Sequence, residues 1–143
     1  MASESTETLT TVAVTGHSQG PKSTHVEASD SEFVVGKEAS PLEYLLGSLA
    51  ACINVIGHMV AKDRELALRD LDVQVAGDID ARKYRGEATE PRAGFQTVRV
   101  AVTVDADADR ETLESWMDDV AERCPVADNL KHDSEVEVSV ERA

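Results

Sequence analysis

One stretch of the chain breaks its otherwise alternating pattern of apolar and polar positions. From Pro41 to Lys62 the residues read PLEYLLGSLAACINVIGHMVAK. Wound as a helix, Leu42, Leu45, Leu46, Leu49, Ile53, Val55, Ile56, Met59 and Val60 leave no polar face, and such a helix is buried on most sides. Ser40 is placed to cap it and Pro41 suits the first turn. Glu43, three residues after Ser40, completes a capping box. Length alone is enough for a membrane span. Asn54 and His58 interrupt the run and no basic cluster flanks it, so it reads as a core helix. Gly47, Ser48, Ala50 and Ala51 allow other backbone to come close, and Cys52 sits in the middle.

Elsewhere the alternation predicts strands. Leu9 to Thr15, with Val12 and Val14 on one face, reads as the first. Gly16 to Lys22, GHSQGPK, is a turn signal. Ser23 to Ser29 and Glu32 to Val35 are short strand candidates, and Gly36 to Ser40 leads into the helix. After the helix, Ala67 to Arg69 makes a connection. Leu71, Val73, Val75 and Ile79 then mark a half-buried strand. Arg82 to Gly94 is a polar loop, whose Arg82, Lys83, Arg85 and Arg92 read as solvated positions more than as a binding patch. Val98, Val100, Val102 and Val104 form the next strand. Leu113, Trp116, Met117 and Val120 define an amphipathic helix over Asp109 to Arg123. Cys124-Pro125 ends it, a short helix follows over Val126 to Lys131, and Val136, Val138 and Val140 mark a last strand. Residues 1–7 are expected to fray. Strands with one wet acidic face predict an α+β fold, a mainly antiparallel sheet packed on a central buried helix, in a single domain over residues 1–143.

Charge narrows the partners. Acids outnumber bases 28 to 14, for a formal net charge of -14. A phosphate backbone would be repelled, so nucleic acid is not an expected partner. The acids are spread over every segment, a pattern suited to solvation in concentrated salt, and a halophilic source is expected. The start, MASESTETLT, has neither a basic cluster nor an apolar run, so a cytoplasmic protein without a membrane partner is expected. Stable structural disulfides are rare there. The two cysteines, Cys52 and Cys124, lie too far apart for a CxxC motif and are too few for a four-cysteine zinc site. His17, His25, His58 and His132 show no HExxH-type spacing, so no metal or other cofactor is expected.

With Pro125 as the first residue of the short helix, Cys124 becomes its N-cap, where free N–H groups favour a thiolate. Alone, each cysteine has a bland reading as a passive core or capping residue. Together, their surroundings resemble a known family. SPLEYLLGSLAAC at 40–52 and ERCPVADNL at 122–130 are similar to the hallmark stretches of the OsmC/Ohr family, the osmotically inducible and organic-hydroperoxide-resistance proteins. The resemblance covers nearly the whole chain beyond its first residues. Its most specific parts are Cys124-Pro125-Val126 and the spacing from Pro41 to Cys52.

That resemblance implies an OsmC-like, intertwined homodimer, with the central helices buried between two sheets made from both chains. It also implies thiol-dependent reduction of organic hydroperoxides. Cys52 would be the attacking thiol and Cys124 the resolving one, with an external dithiol reductant restoring both. Leu45, Ser48, Leu49, Val55, Ile56 and Met59 share the face of Cys52, a mainly apolar surround that suits an organic hydroperoxide or another apolar small molecule. The same surround raises a thiol pKa, so activation calls for a positive partner.

Here the chain departs from the family. Its peroxidase branches place a Glu directly after the proline, orienting an Arg beside the thiolate. Leu42 holds that position in this chain, and no arginine precedes Arg64. Glu43 follows one step later, about 180° from Cys52 on a helical wheel. Glu43 stands with Cys52 and Cys124 as a candidate catalytic residue; Lys22, Lys37, His25 and His58 are the cationic substitutes. Two functions remain open: a two-cysteine peroxidase, and a non-catalytic OsmC-like protein that binds a small molecule or serves a stress response.

The charge pattern generates a first prediction. Thermal stability should rise between dilute and molar potassium chloride, because salt screens the self-repulsion of the acidic surface. A melting temperature that stays flat or falls over that range would show that the surface is not adapted to salt.

Overall fold

The computed structural model describes residues 8–143. The fraying expected of residues 1–7 lies outside them. The chain forms two compact units, Met1–Tyr44 and Leu45–Ala143.

The first unit is a three-stranded antiparallel sheet of β1 (Thr15–Ser18), β2 (Thr24–Glu27) and β3 (Glu32–Val35), in that order. Thr15 stands opposite Glu27, and Glu27 opposite Glu32. Gly36 follows β3 with φ at +98°, and a Cβ there would lie 1.9 Å from the Lys22 carbonyl oxygen, so only glycine fits. The Phe33 and Tyr44 rings stack with centroids 6.0 Å apart, and the Tyr44 hydroxyl donates to the Val34 carbonyl at 3.0 Å. These contacts fasten β3 to the first turn of helix α1 (Pro41–Asp63).

The expected first strand is displaced. Pairing with β2 begins only at Thr15, the end of the expected strand, and runs on to Ser18 through the start of the stretch read as a turn; the true turn shortens to residues 19–23, closed by Gln19 N–H to the Ser23 carbonyl. Val12 and Val14 keep their alternation but are exposed, at 92% and 61%. Alternation shows which residues share a face; a strand also requires a partner ladder.

In the second unit, β4 (Leu68–Ile79) and β5 (Phe95–Ala106) make an antiparallel ribbon paired from Leu68 opposite Ala106 to Ile79 opposite Phe95, with the register shifting between Leu68 and Asp70 and between Asp78 and Ile79. The ladder thus absorbs part of the connection expected at Ala67 to Arg69. Arg99–Asp78 and Arg69–Asp105 tie the strands across their exposed surface. Arg82 of the basic loop is taken up by Asp80. Helix α2 (Arg110–Arg123) begins at Asp109, whose carboxylate accepts the Thr112 N–H at 2.8 Å. Helix α3 (Pro125–Lys131) follows after one residue.

Leu49, Ile53, Val60 and Ala61 of α1 form the core with Trp116 and Val120 of α2 and with Cys124. Half-buried Leu71, Val73, Val98 and Val102 of the ribbon pack against them. Trp116 lies over Gly57, and its indole N–H donates to the Gly57 carbonyl at 2.9 Å. A Cβ at Gly57 would meet the Trp116 ring at 3.1 Å, so the glycine sets how closely the helices approach.

The fold class is α+β, with antiparallel sheets and three helices among the described residues. Two expectations are corrected within the single chain. Only Leu49, Ile53, Gly57, Val60 and Ala61 of α1 are buried, while Leu45, Val55 and Met59 are exposed, because α2 and the ribbon cover one stripe of the helix. By length and composition α1 is also the one described helix that meets the requirement for crossing a membrane. The last strand is the second correction. Val136, Val138 and Val140 pair with no strand among the described residues and are 80%, 88% and 95% exposed.

Candidate functional site

Cys124 is the junction of two helices. It ends α2 and caps α3, with Pro125 in the first turn where a missing N–H costs nothing. Its sulfur accepts the Ala127 N–H at 3.5 Å, and its side chain is completely buried. The Trp116–Gly57 contact holds α2 against α1 two turns earlier and brings this junction to Cys52. Both cysteines are free thiols; Cys52 is half-buried.

The Cys52 thiol lies beside the Cys124 thiol and the Val126 backbone N–H, both near enough to bias its ionisation. The first turn of α3 thus stands against both sulfurs, with the Ala127 N–H donating to Cys124. Burial pushes the Cys52 thiol above its ordinary value of 9.0; the Val126 N–H pulls it down, and the adjacent Cys124 thiol pushes it up.

Glu43 is engaged elsewhere. Its carboxylate accepts the Ser40 N–H at 2.9 Å while its own N–H donates to the Ser40 hydroxyl at 3.2 Å, the reciprocal capping box. These Ser40 hydrogen bonds hold the Glu43 carboxyl below its usual range. Nine residues on, Cys52 lies about 13 Å further along the helix axis. The structure thus joins Cys52 to Cys124 and places Glu43 at the cap. Arg64 is bound to Asp119 and Ser115, and His58 is exposed. Lys22, Lys37 and His25 belong to the N-terminal unit. Among the described residues, the groups acting on the Cys52 thiol are the Val126 N–H and Cys124. Sequence reasoning missed the part played by the Val126 N–H, for which proline directly after Cys124 was the available signal.

Neighbouring free thiols, one half-buried and one fully buried, are the side-chain types that thiol–disulfide chemistry uses. The family described as OsmC-like protein matches residues 35–139, and the chain belongs to that family. Among solved structures, it is similar to an OsmC-like protein from Mycoplasma pneumoniae, with 18% identity, 87% of this chain and 89% of that one covered, and a TM-score of 0.77. An organic hydroperoxide resistance protein OsmC from Legionella pneumophila shares 19% identity over 86% and 90% of the two chains, with a TM-score of 0.65. OhrB of Bacillus subtilis, an organic hydroperoxide resistance protein, shares 20% identity over 87% and 93%, with a TM-score of 0.56. At these identities the likeness carries the fold. No curated protein matches the chain.

The burial difference and the raised Cys52 thiol predict selective alkylation. Iodoacetamide should label Cys52 and spare Cys124 in the folded protein. The rate should climb about tenfold per pH unit from neutrality to about pH 8, because the thiolate fraction does so well below the pKa. A plateau below about pH 8, read by mass analysis, would contradict this account of the thiol.

Proposed function

We propose that this protein is a dithiol peroxidase that reduces organic hydroperoxides through Cys52 and Cys124. The observation that carries the reading is the proximity of the two thiols, with Cys52 packed against the core cluster that holds Cys124. The relatives named as organic hydroperoxide resistance proteins support the substrate class. Exposed Leu45, Val55 and Met59 on the face of Cys52 suit the organic part of such a molecule.

In the first step the Cys52 thiolate attacks one peroxide oxygen of ROOH. The O–O bond breaks, the alkoxide leaves and takes a proton as ROH, and Cys52 becomes a sulfenic acid. The Cys124 sulfur then attacks the Cys52 sulfur, water leaves, and a disulfide forms. An external dithiol in the cytoplasm reduces it by thiol–disulfide exchange and is itself oxidised to a disulfide. The thiolate, not the thiol, is the nucleophile, so the raised Cys52 thiol makes the first step slow at neutral pH. That same observation favours a second reading, a non-catalytic protein that binds an apolar molecule beside Cys52.

Excess organic hydroperoxide should convert the folded protein to an intramolecular Cys52–Cys124 disulfide, seen by mass analysis. Cys124→Ser should instead trap a sulfenic acid at Cys52, and Cys52→Ser should leave Cys124 largely unreacted. Thiols that both stay reduced would reject the peroxidase in favour of the binding protein.

The active form in this proposal is a homodimer. The exposed apolar side of α1 and the alternating Val136, Val138 and Val140 support it, since a second chain would cover the one and pair with the other. Sedimentation at micromolar concentration should give a dimer, and a folded monomer would reject it.

A further inference from the structure

The N-terminal unit gathers a second set of reactive side chains that the thiol chemistry does not use. His17 on β1 stands directly opposite His25 on β2, and Glu27 on β2 directly opposite Glu32 on β3. His25 and Glu27 are two residues apart on one strand. Opposed residues share a face, as do residues two apart, so all four project from the same side of the sheet. One ring nitrogen of His25 and one carboxylate oxygen from each of Glu27 and Glu32 lie within 4.8 Å of one another. The His25 ring is inserted between the acids, with Nε2 3.3 Å from Glu32 and Nδ1 3.9 Å from Glu27. Its side chain is 25% exposed, and the two carboxylates are 65% and 70% exposed.

Carboxylates alone on so acidic a surface would mean little. Two features of the ladder distinguish this group. Glu27 and Glu32 oppose one another directly across the strands, an arrangement of like charges that is unfavourable without a cation. Their shared neighbour is an imidazole, with a second imidazole in the adjacent row. Imidazole nitrogen and carboxylate oxygen together suit zinc and its first-row neighbours, not the all-oxygen preference of calcium or magnesium. Donors about 2.0–2.2 Å from a tetrahedral zinc ion are roughly 3.3 Å apart, so the exposed glutamates close by about 1–1.5 Å when they bind.

We infer that His25, Glu27 and Glu32 bind a divalent transition-metal ion of the zinc type, with His17 turning in as the fourth donor. HExxH-type spacing along one helix gives no sign of such a site, because its ligands come from neighbouring strands.

Zinc titration calorimetry on the full chain carrying Cys52→Ser and Cys124→Ser tests this, since those substitutions remove the thiols as competing ligands. The expected result is saturable binding of one zinc ion per chain. In that background His25→Gln or Glu32→Gln should weaken binding by more than the roughly 10- to 100-fold lost with an outer-shell partner. His17→Gln should weaken it as well. Cobalt in place of zinc should show the visible absorption of a tetrahedral ion. Failure of the cysteine-free parent to bind one zinc ion saturably would overturn the proposal. Unchanged affinity in His25→Gln and Glu32→Gln would do the same, by assigning the zinc to the general acidic surface.

Discussion

The contact between Trp116 and Gly57 is the constraint on which the thiol site depends. A fully buried indole needs a partner for its N–H, and the Gly57 carbonyl supplies it. The missing side chain at Gly57 lets the ring lie against the α1 backbone. This fixes both the separation of α1 and α2 and their register. Two turns beyond Trp116, the chain reaches Cys124 in position to touch Cys52. The cysteines are therefore positioned by a packing contact that contains neither of them.

At the site itself, position and activation are in tension. Burial shields the Cys52 thiol from water, which disfavours its charged form. The opposing help comes from the backbone, through the Val126 N–H in the first turn of α3. Glu43 is committed to the cap of α1. The chain thus combines the thiol pair with weak electrostatic activation.

Polar satisfaction and apolar coverage tell different stories about this molecule. No buried side-chain nitrogen or oxygen lacks a partner among the described residues. Apolar coverage is incomplete, along one side of α1 and over Val136 to Val140. An extended apolar segment with unpaired backbone is a template for another strand. That is the physical argument for a second chain, and it arises from the structure independently of family likeness.

Much of the fold was legible in residue order. The capping residues and apolar run located α1, alternating valines located β4 and β5, and three-and-four spacing located α2. In each, local preference and burial pattern agree. The family-like stretches around Cys52 and Cys124 also singled out the two thiols. Other features needed the third dimension because they depend on a partner distant in sequence. Residues 9–14 and 136–140 have strand periodicity but no ladder within the described chain. The uncovered side of α1 depends on the extent of α2 and the ribbon. Glu43 satisfies the spacing of a cap, and only the observed hydrogen bonds show its carboxylate occupied there. The His25, Glu27 and Glu32 cluster arises from cross-strand register. Sequence by itself determined most of the elements and singled out the two cysteines, since those follow from local periodicity and motif. Tertiary structure alone decided which side chains meet, because contact is set by packing and strand register between segments far apart in the chain.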